Sequence, residues 1–137
     1  MKNIGEWQED KLHGIAKQKW IGNFGNLSIW GHFYQNWRDG FITTKYPDGG
    51  FYYGQHKYHN SSYIIYTSKE GDVYRGEFGY EVKSGFGHMK YSNKDEYDGM
   101  WSSDKKHGLG IFKEASTGRI EKRIYAKDRV RQVREVI

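Results

Sequence analysis

The strongest constraint on this chain is an internal repeat. Tyr74-Arg75-Gly76-Glu77-Phe78 recurs as Tyr97-Asp98-Gly99-Met100-Trp101, and Gly85-Phe86-Gly87 recurs as Gly108-Leu109-Gly110, both at a spacing of 23 residues. Counting back, Tyr52-Tyr53-Gly54-Gln55-His56 fits at 22, and Ile29-Trp30-Gly31-His32-Phe33 precedes it by 23. Gly5-Glu6-Trp7 opens a first copy 26 residues ahead of the next, so the Ile21 to Ser28 segment is expected to carry an enlarged loop. Counting forward by 23 reaches Ile120-Glu121-Lys122-Arg123-Ile124, which keeps the apolar ends, loses the glycine and reads as a closing strand. Units of this length bury their apolar side chains only against their neighbours, so single copies are not expected to fold alone.

Within a unit the spacing is that of a strand. Tyr74, Gly76 and Phe78 stand at i, i+2 and i+4 and share one face. The glycine leaves a gap over which flanking rings can lie, and Gly85 and Gly87 repeat the device on the returning strand. Asp48-Gly49 and Gly71-Asp72 supply the positive φ that tight reversals require. Each unit is therefore one antiparallel hairpin. About eleven strands at ~4.8 Å would make a twisted single layer roughly 50 Å long. The composition agrees, with 18% aromatic residues and 18 glycines but only 36% hydrophobic residues. Flat rings over a thin sheet suit that balance better than a thick aliphatic core does.

These motifs resemble the MORN (membrane occupation and recognition nexus) repeat. Its pattern is Tyr-x-Gly-x-Trp/Phe, then Gly-x-Gly, then aromatics and an Asp/Asn-Gly turn before the next tyrosine. Residues 74–112 follow it closely, Tyr46-Pro47-Asp48-Gly49-Gly50-Phe51-Tyr52-Tyr53-Gly54 matches its turn and restart, and weaker copies extend the cover to about Asn3 to Ile124. The expected fold is all-β, an elongated single-layer antiparallel sheet of five hairpins and a closing strand over residues 1–125. From Ala126 the period changes. Ala126, Val130, Val133 and Ile137 recur at helical spacing, with Arg129, Arg131 and Arg134 on other faces. Residues 126–137 are thus expected to form a short amphipathic helix that caps the open sheet end or lies over the ring-bearing face.

Both faces carry candidate sites. On one, Phe33, Tyr52, Tyr74, Phe78, Tyr97 and Trp101 form either the core of the layer or a furrow that binds a partner. On the other, Ile15, Phe41, Tyr63, Phe86 and Leu109 are apolar in every copy, beside a row of Lys19, Lys45, Lys90 and Lys113. That row, with Arg129, Arg131 and Arg134, is either solubilising or an anion-binding stripe. The net charge of +5 sits mostly at the end, because residues 119–137 hold seven basic and three acidic side chains.

Chemistry is not expected. There are no cysteines, and no P-loop or dinucleotide fingerprint appears. His13 and His107 occupy the same position of distant repeats, and His56 and His59 have no third ligand beside them, so neither metal nor cofactor is expected. No apolar run is long enough for a membrane span, and a cytoplasmic location, with peripheral membrane contact, is the expectation. The reading is a non-catalytic scaffold that holds a partner protein's helix or extended segment, or a second copy of itself, without nucleic-acid specificity. The resemblance implies partner recruitment, self-association and contact with membrane lipids. Two alternatives stay open: binding of an anionic, phosphoinositide membrane through the basic residues, or a small bacterial or viral inhibitor or antitoxin that acts by binding another protein.

Overall fold

The computed structural model describes residues 1–57, 60–80 and 82–136, and every regular element among them is a β-strand. The strands are β1 (Lys2–Gln8), β2 (Lys11–Gly22), β3 (Gly25–Tyr34), β4 (Trp37–Lys45), β5 (Phe51–Lys57), β6 (Asn60–Thr67), β7 (Val73–Gly79), β8 (Val82–Lys90), β9 (Glu96–Ser102), β10 (Lys105–Lys113), β11 (Ile120–Ala126) and β12 (Arg129–Val136). They fall into two compact units, residues 1–69 with β1–β6 and residues 70–137 with β7–β12. Within each unit every strand pairs antiparallel with the next in sequence. The fold is the expected all-β succession of hairpins.

A shared irregularity shapes these hairpins. Gly76 pairs with Gly87, yet Phe78 pairs with Lys83, so β8 runs four residues while β7 runs two. The same offset separates Gly5/Trp7 from Ala16/Leu12, Gly31/Phe33 from Ile42/Arg38, and Gly99/Trp101 from Gly110/Lys106. The first glycine of each Gly-x-Gly lies in this bulge. Gly85 has φ +68° there, a left-handed conformation that side chains resist, rather than providing a gap for a ring. Backbone donors freed by the bulge find substitutes: the Phe86 N–H donates to the Glu77 carboxylate at 2.5 Å.

Hairpin tips are two-residue turns with positive φ at both positions. They are Glu9-Asp10, Gln35-Asn36, Ser103-Asp104 and Lys127-Asp128, a type I′ pattern whose twist matches that of the strands. Asn and Asp tolerate this conformation better than other side chains do. Three of these tips also clasp the preceding repeat. Asn36 Oδ1 accepts the Leu12 N–H at 2.8 Å, Asp104 Oδ1 that of Lys83 at 2.7 Å, and Asp128 Oδ1 that of Lys106 at 2.7 Å.

The core of the second unit is a run of rings over glycines. Tyr74 and Tyr97 are fully buried, and Trp101 sits between them, at 5.5 Å from Tyr74 and 5.3 Å from Tyr97, edge to face with both. Tyr125 continues the run at 5.2 Å from Tyr97. A Cβ on Gly87 would overlap the Tyr74 ring, and one on Gly110 would overlap the Tyr97 ring, so the glycines are the seats of these plates. The Tyr74 hydroxyl donates to the Glu77 carbonyl at 2.6 Å and the Tyr97 hydroxyl to the Met100 carbonyl at 2.8 Å. In the first unit the core mixes aliphatic side chains, Leu12, Ala16, Ile29 and Ile42, with Phe33, and Trp20 and Leu27 pack against them.

Three expectations are corrected. Residues 126–137 form no helix among the described residues; Arg129–Val136 is β12, paired with β11 around the Lys127-Asp128 tip. The helical spacing of its apolar residues has another cause. β12 takes an extra residue against β11 at Arg131 and again at Arg134, so Val130, Val133 and Val136 pair with Tyr125, Arg123 and Glu121. Valines three apart thereby meet alternate residues of β11 on the ring face. The closing strand is consequently a sixth hairpin. Its aromatic row is entered by Glu121, paired with Phe112, not by Ile120, because the connection before β11 is one residue longer than the connection before β9. Finally, the Ile21 to Ser28 segment makes no enlarged loop. Its extra residues extend the β2–β3 ladder through Trp20/Leu27, Ile21/Asn26 and Gly22/Gly25.

Candidate binding surface

Five of the six rings read as partner contacts lie inside. Tyr74 and Tyr97 are 0% exposed, Phe33 3%, Tyr52 4% and Trp101 5%, while Phe78 is half-buried. Two lysines that the sequence reading passed over close this face in the second unit. Lys83 reaches over the Tyr74 ring at 5.6 Å and the Trp101 ring at 5.5 Å. Lys106 stands 5.0 Å from the Tyr125 ring, 5.6 Å from Tyr91, 5.7 Å from Tyr97 and 6.0 Å from Phe112. Both stand where the ladder resumes past the bulge, paired with Phe78 and Trp101 on the ring face, and their spacing of 23 was a signal present in the sequence.

Burial sets the electrostatics of this face. It lowers the Lys106 pKa, with Asp128 opposing the shift, and pushes the Tyr91 hydroxyl up to about 12 and that of Tyr97 further. Glu121 is held below the usual carboxylate range, first by its hydrogen bond from Arg123, at 2.7 Å, and also by Arg119. The Arg123 guanidinium in turn lies 4.2 Å from the centre of the Phe112 ring.

The opposite face is open. In the first unit, register across β2 to β6 sets out three parallel rows: Ile15, His32, Phe41, Gln55, Tyr63; Lys17, Trp30, Thr43, Tyr53, Ile65; and Lys19, Ser28, Lys45, Phe51, Thr67. Ile15, Phe41 and Tyr63 are 60%, 53% and 56% exposed, and Trp30, Tyr53 and Phe51 are exposed too. Phe41 stacks on Tyr53 with centroids 5.6 Å apart, and Lys17 reaches over Trp30 at 5.9 Å. These rows contain three lysines and no carboxylate. They combine large apolar area with positive charge, and the Glu6 carboxylate of β1 lies at their edge beside Gly14.

The second unit differs. Phe86 and Leu109 are again exposed on this face, but Lys90 and Lys113 both pair across to Glu96, which interrupts the lysine row there. His88 lies between Glu96 and Asp98, at 3.6 Å and 2.6 Å. Arg129 and Arg131 line a depression near the β11–β12 tip, and Arg134 is exposed on β12.

The histidines are dispersed. His56 is buried against the Tyr52 hydroxyl at 2.6 Å, His107 Nδ1 accepts the Lys127 N–H at 3.4 Å, and His59 lies outside the described residues. Among the described residues no three His, Asp or Glu side chains gather as metal ligands would.

The profile of the MORN repeat family matches residues 4–22 and residues 97–113. No curated protein matches the chain. Each matched segment is a hairpin, β1–β2 in one unit and β9–β10 in the other, turning at an aspartate of left-handed conformation, Asp10 or Asp104. The hairpins β3–β4 and β7–β8 repeat the register of the matched ones, and together these findings support a MORN-repeat protein.

Proposed function

We propose that this chain is a non-catalytic module that recruits an acidic, amphipathic segment of another protein to the open face of its first unit. One observation carries the reading: Ile15, Phe41 and Tyr63 are more than half exposed beside Lys17, Lys19 and Lys45, with no carboxylate in the three rows. Contiguous exposed apolar surface of this kind marks an interaction site rather than a solvated face. Lysines around it select against basic partners and favour acidic ones. The core on the buried face of this unit, Leu12, Ala16, Ile29, Phe33 and Ile42, serves as the rigid support, which keeps the contact side chains in place without reorganisation on binding. The family supports the coarser statement, since MORN repeats suggest protein- or membrane-binding modules.

Selection of displayed random peptides on the folded chain tests this. Peptides that alternate Asp/Glu with large apolar residues should be enriched, and Phe41→Ser with Tyr63→Ser should abolish their binding while the chain keeps its circular dichroism spectrum. Enriched peptides indifferent to that double substitution would refute the site. Sedimentation with anionic vesicles, lost in the same double variant, would assign the face to membrane instead.

A further inference from the structure

The second unit carries a basic depression whose residues are separate from those of the face proposed above. Lys105 and His107 at the start of β10, Lys127 at the β11–β12 tip, and Arg129 and Arg131 on β12 line one depression of about 370 Å³. A volume of that order accommodates a ligand of sugar-phosphate size. Beside it, a smaller depression of about 220 Å³ shares Lys105, His107 and Lys127 and adds Ser102 and Ser103. We infer that this is a site for a ligand bearing clustered phosphate groups.

Three features point there. The lining holds four permanent cations from separate segments and no carboxylate, so the empty site repels itself and an anion relieves that repulsion. Asp104 and Asp128, the nearest acids in sequence, are already engaged at the Lys83 and Lys106 backbone N–H groups. The remaining donors suit phosphate. Nδ1 of His107 accepts the Lys127 N–H, which leaves Nε2 to carry the proton as a donor, and the two serines offer hydroxyls. Arginines add forked donors that match phosphate oxygens in pairs. Several cations around one depression favour clustered phosphates over a single one, because each added phosphate meets a further cation. Arg129 and Arg131 were legible as basic residues in the sequence; Lys105, His107 and Lys127 join them only because the last twelve residues return as a strand.

Calorimetric titration with tripolyphosphate and with inositol hexakisphosphate tests the site. The full chain should bind at least one of them, and Arg129→Ala with Arg131→Ala should weaken binding about 25-fold, at about fivefold per cation. The charge-matched control, Lys17→Ala with Lys19→Ala in the first unit, should change it by less than about twofold. All four side chains are solvent-facing or half-buried on strands, and circular dichroism verifies folding. Vesicles carrying a phosphorylated inositol lipid, compared with phosphatidylserine vesicles of equal charge, identify the source. Co-sedimentation with the former alone, displaced by the soluble probe, supports a lipid headgroup; binding of the soluble probe without vesicle binding supports a free ligand. Absence of binding to both soluble probes, or equal loss in both double variants, overturns the inference.

Discussion

Asp128 and Lys106 hold each other through the backbone in both directions: Asp128 Oδ1 accepts the Lys106 N–H at 2.7 Å, and the Asp128 N–H donates to the Lys106 carbonyl at 2.9 Å. Asp104 and Lys83 repeat the clasp at 2.7 Å and 3.0 Å. The hairpin tip of one repeat thus satisfies the backbone of the repeat before it beside its bulge, at the lysine that pairs onto the ring face. Asp128→Ala should therefore lower stability by about 1–2 kcal/mol, through the lost acceptor and the strain of alanine at φ +68°. Asp128→Asn keeps both an acceptor and a tolerance for that conformation, and should stay within about 0.5 kcal/mol of the wild type. Urea unfolding midpoints decide, and equal losses in both variants would contradict the clasp.

Glycines of the array divide by what surrounds them. A methyl group on Gly87 would enter the Tyr74 ring, whereas one on Gly49 would meet open space, although Gly49 has φ +94°. Gly87→Ala should cost about 3 kcal/mol, by driving a buried ring from its seat. Gly49→Ala should cost only about 1 kcal/mol, from backbone strain alone. Loss of near-ultraviolet circular dichroism should accompany the first substitution and not the second. A reversed order of stabilities would remove the argument that glycine and tyrosine are paired for packing.

Much of this fold is legible in the sequence because its two governing signals are local. Tyr74, Gly76 and Phe78 announce strand alternation directly, and spacings of 22 and 23 announce identical units. What escaped depends on bulges and turns without glycine. Lys127-Asp128 is the same tip as Ser103-Asp104, 24 residues on, but it lacks the Asn-Gly or Asp-Gly dipeptide by which such turns are usually recognised. The two bulges of β12 then convert a two-residue period into a three-residue one, which imitates a helix. Burial of the rings was one of two readings the alternation left open; what it did not show is that Lys83 and Lys106 lie over the rings of the second unit. Exposure of Ile15, Phe41 and Tyr63, by contrast, follows from the alternation that buries Ala16, Ile42 and Ile64 beside them.

The tip at Lys127 offers a test whose sign alone is decisive. Lys127 has φ +48°, a conformation that is unfavourable for lysine and free for glycine. Lys127→Gly should therefore raise stability by about 0.5–1 kcal/mol. Were residues 126–137 helical, the same substitution would lower helix stability by about 1 kcal/mol. A shift of the thermal midpoint upwards supports the sixth hairpin, and a downward shift argues for the helix.

Alkaline pH should undo the second unit through its tyrosines. In the folded chain Tyr91 ionises at about 12 and Tyr97 higher still, against an ordinary value of 10.0, because burial disfavours the phenolate and Tyr125 is close to each. Above pH 10 the unfolded chain releases phenolic protons that the folded chain retains, so the unfolded state binds fewer protons and stability falls as pH rises. Lys106 acts in the opposite sense. Its folded pKa is depressed below 10.5, so between the folded value and 10.5 the unfolded state binds more protons and stability rises. Past 10.5 that contribution is complete, and the tyrosines alone govern the decline. Urea midpoints followed upward from about pH 8, with tyrosinate absorbance as a second signal, should show this fall between 10 and about 12. Tyr91→Phe, which keeps the ring and removes one ionisable hydroxyl, should make the fall shallower. An unchanged slope in that variant would mean that Tyr91 keeps its ordinary ionisation in the folded chain.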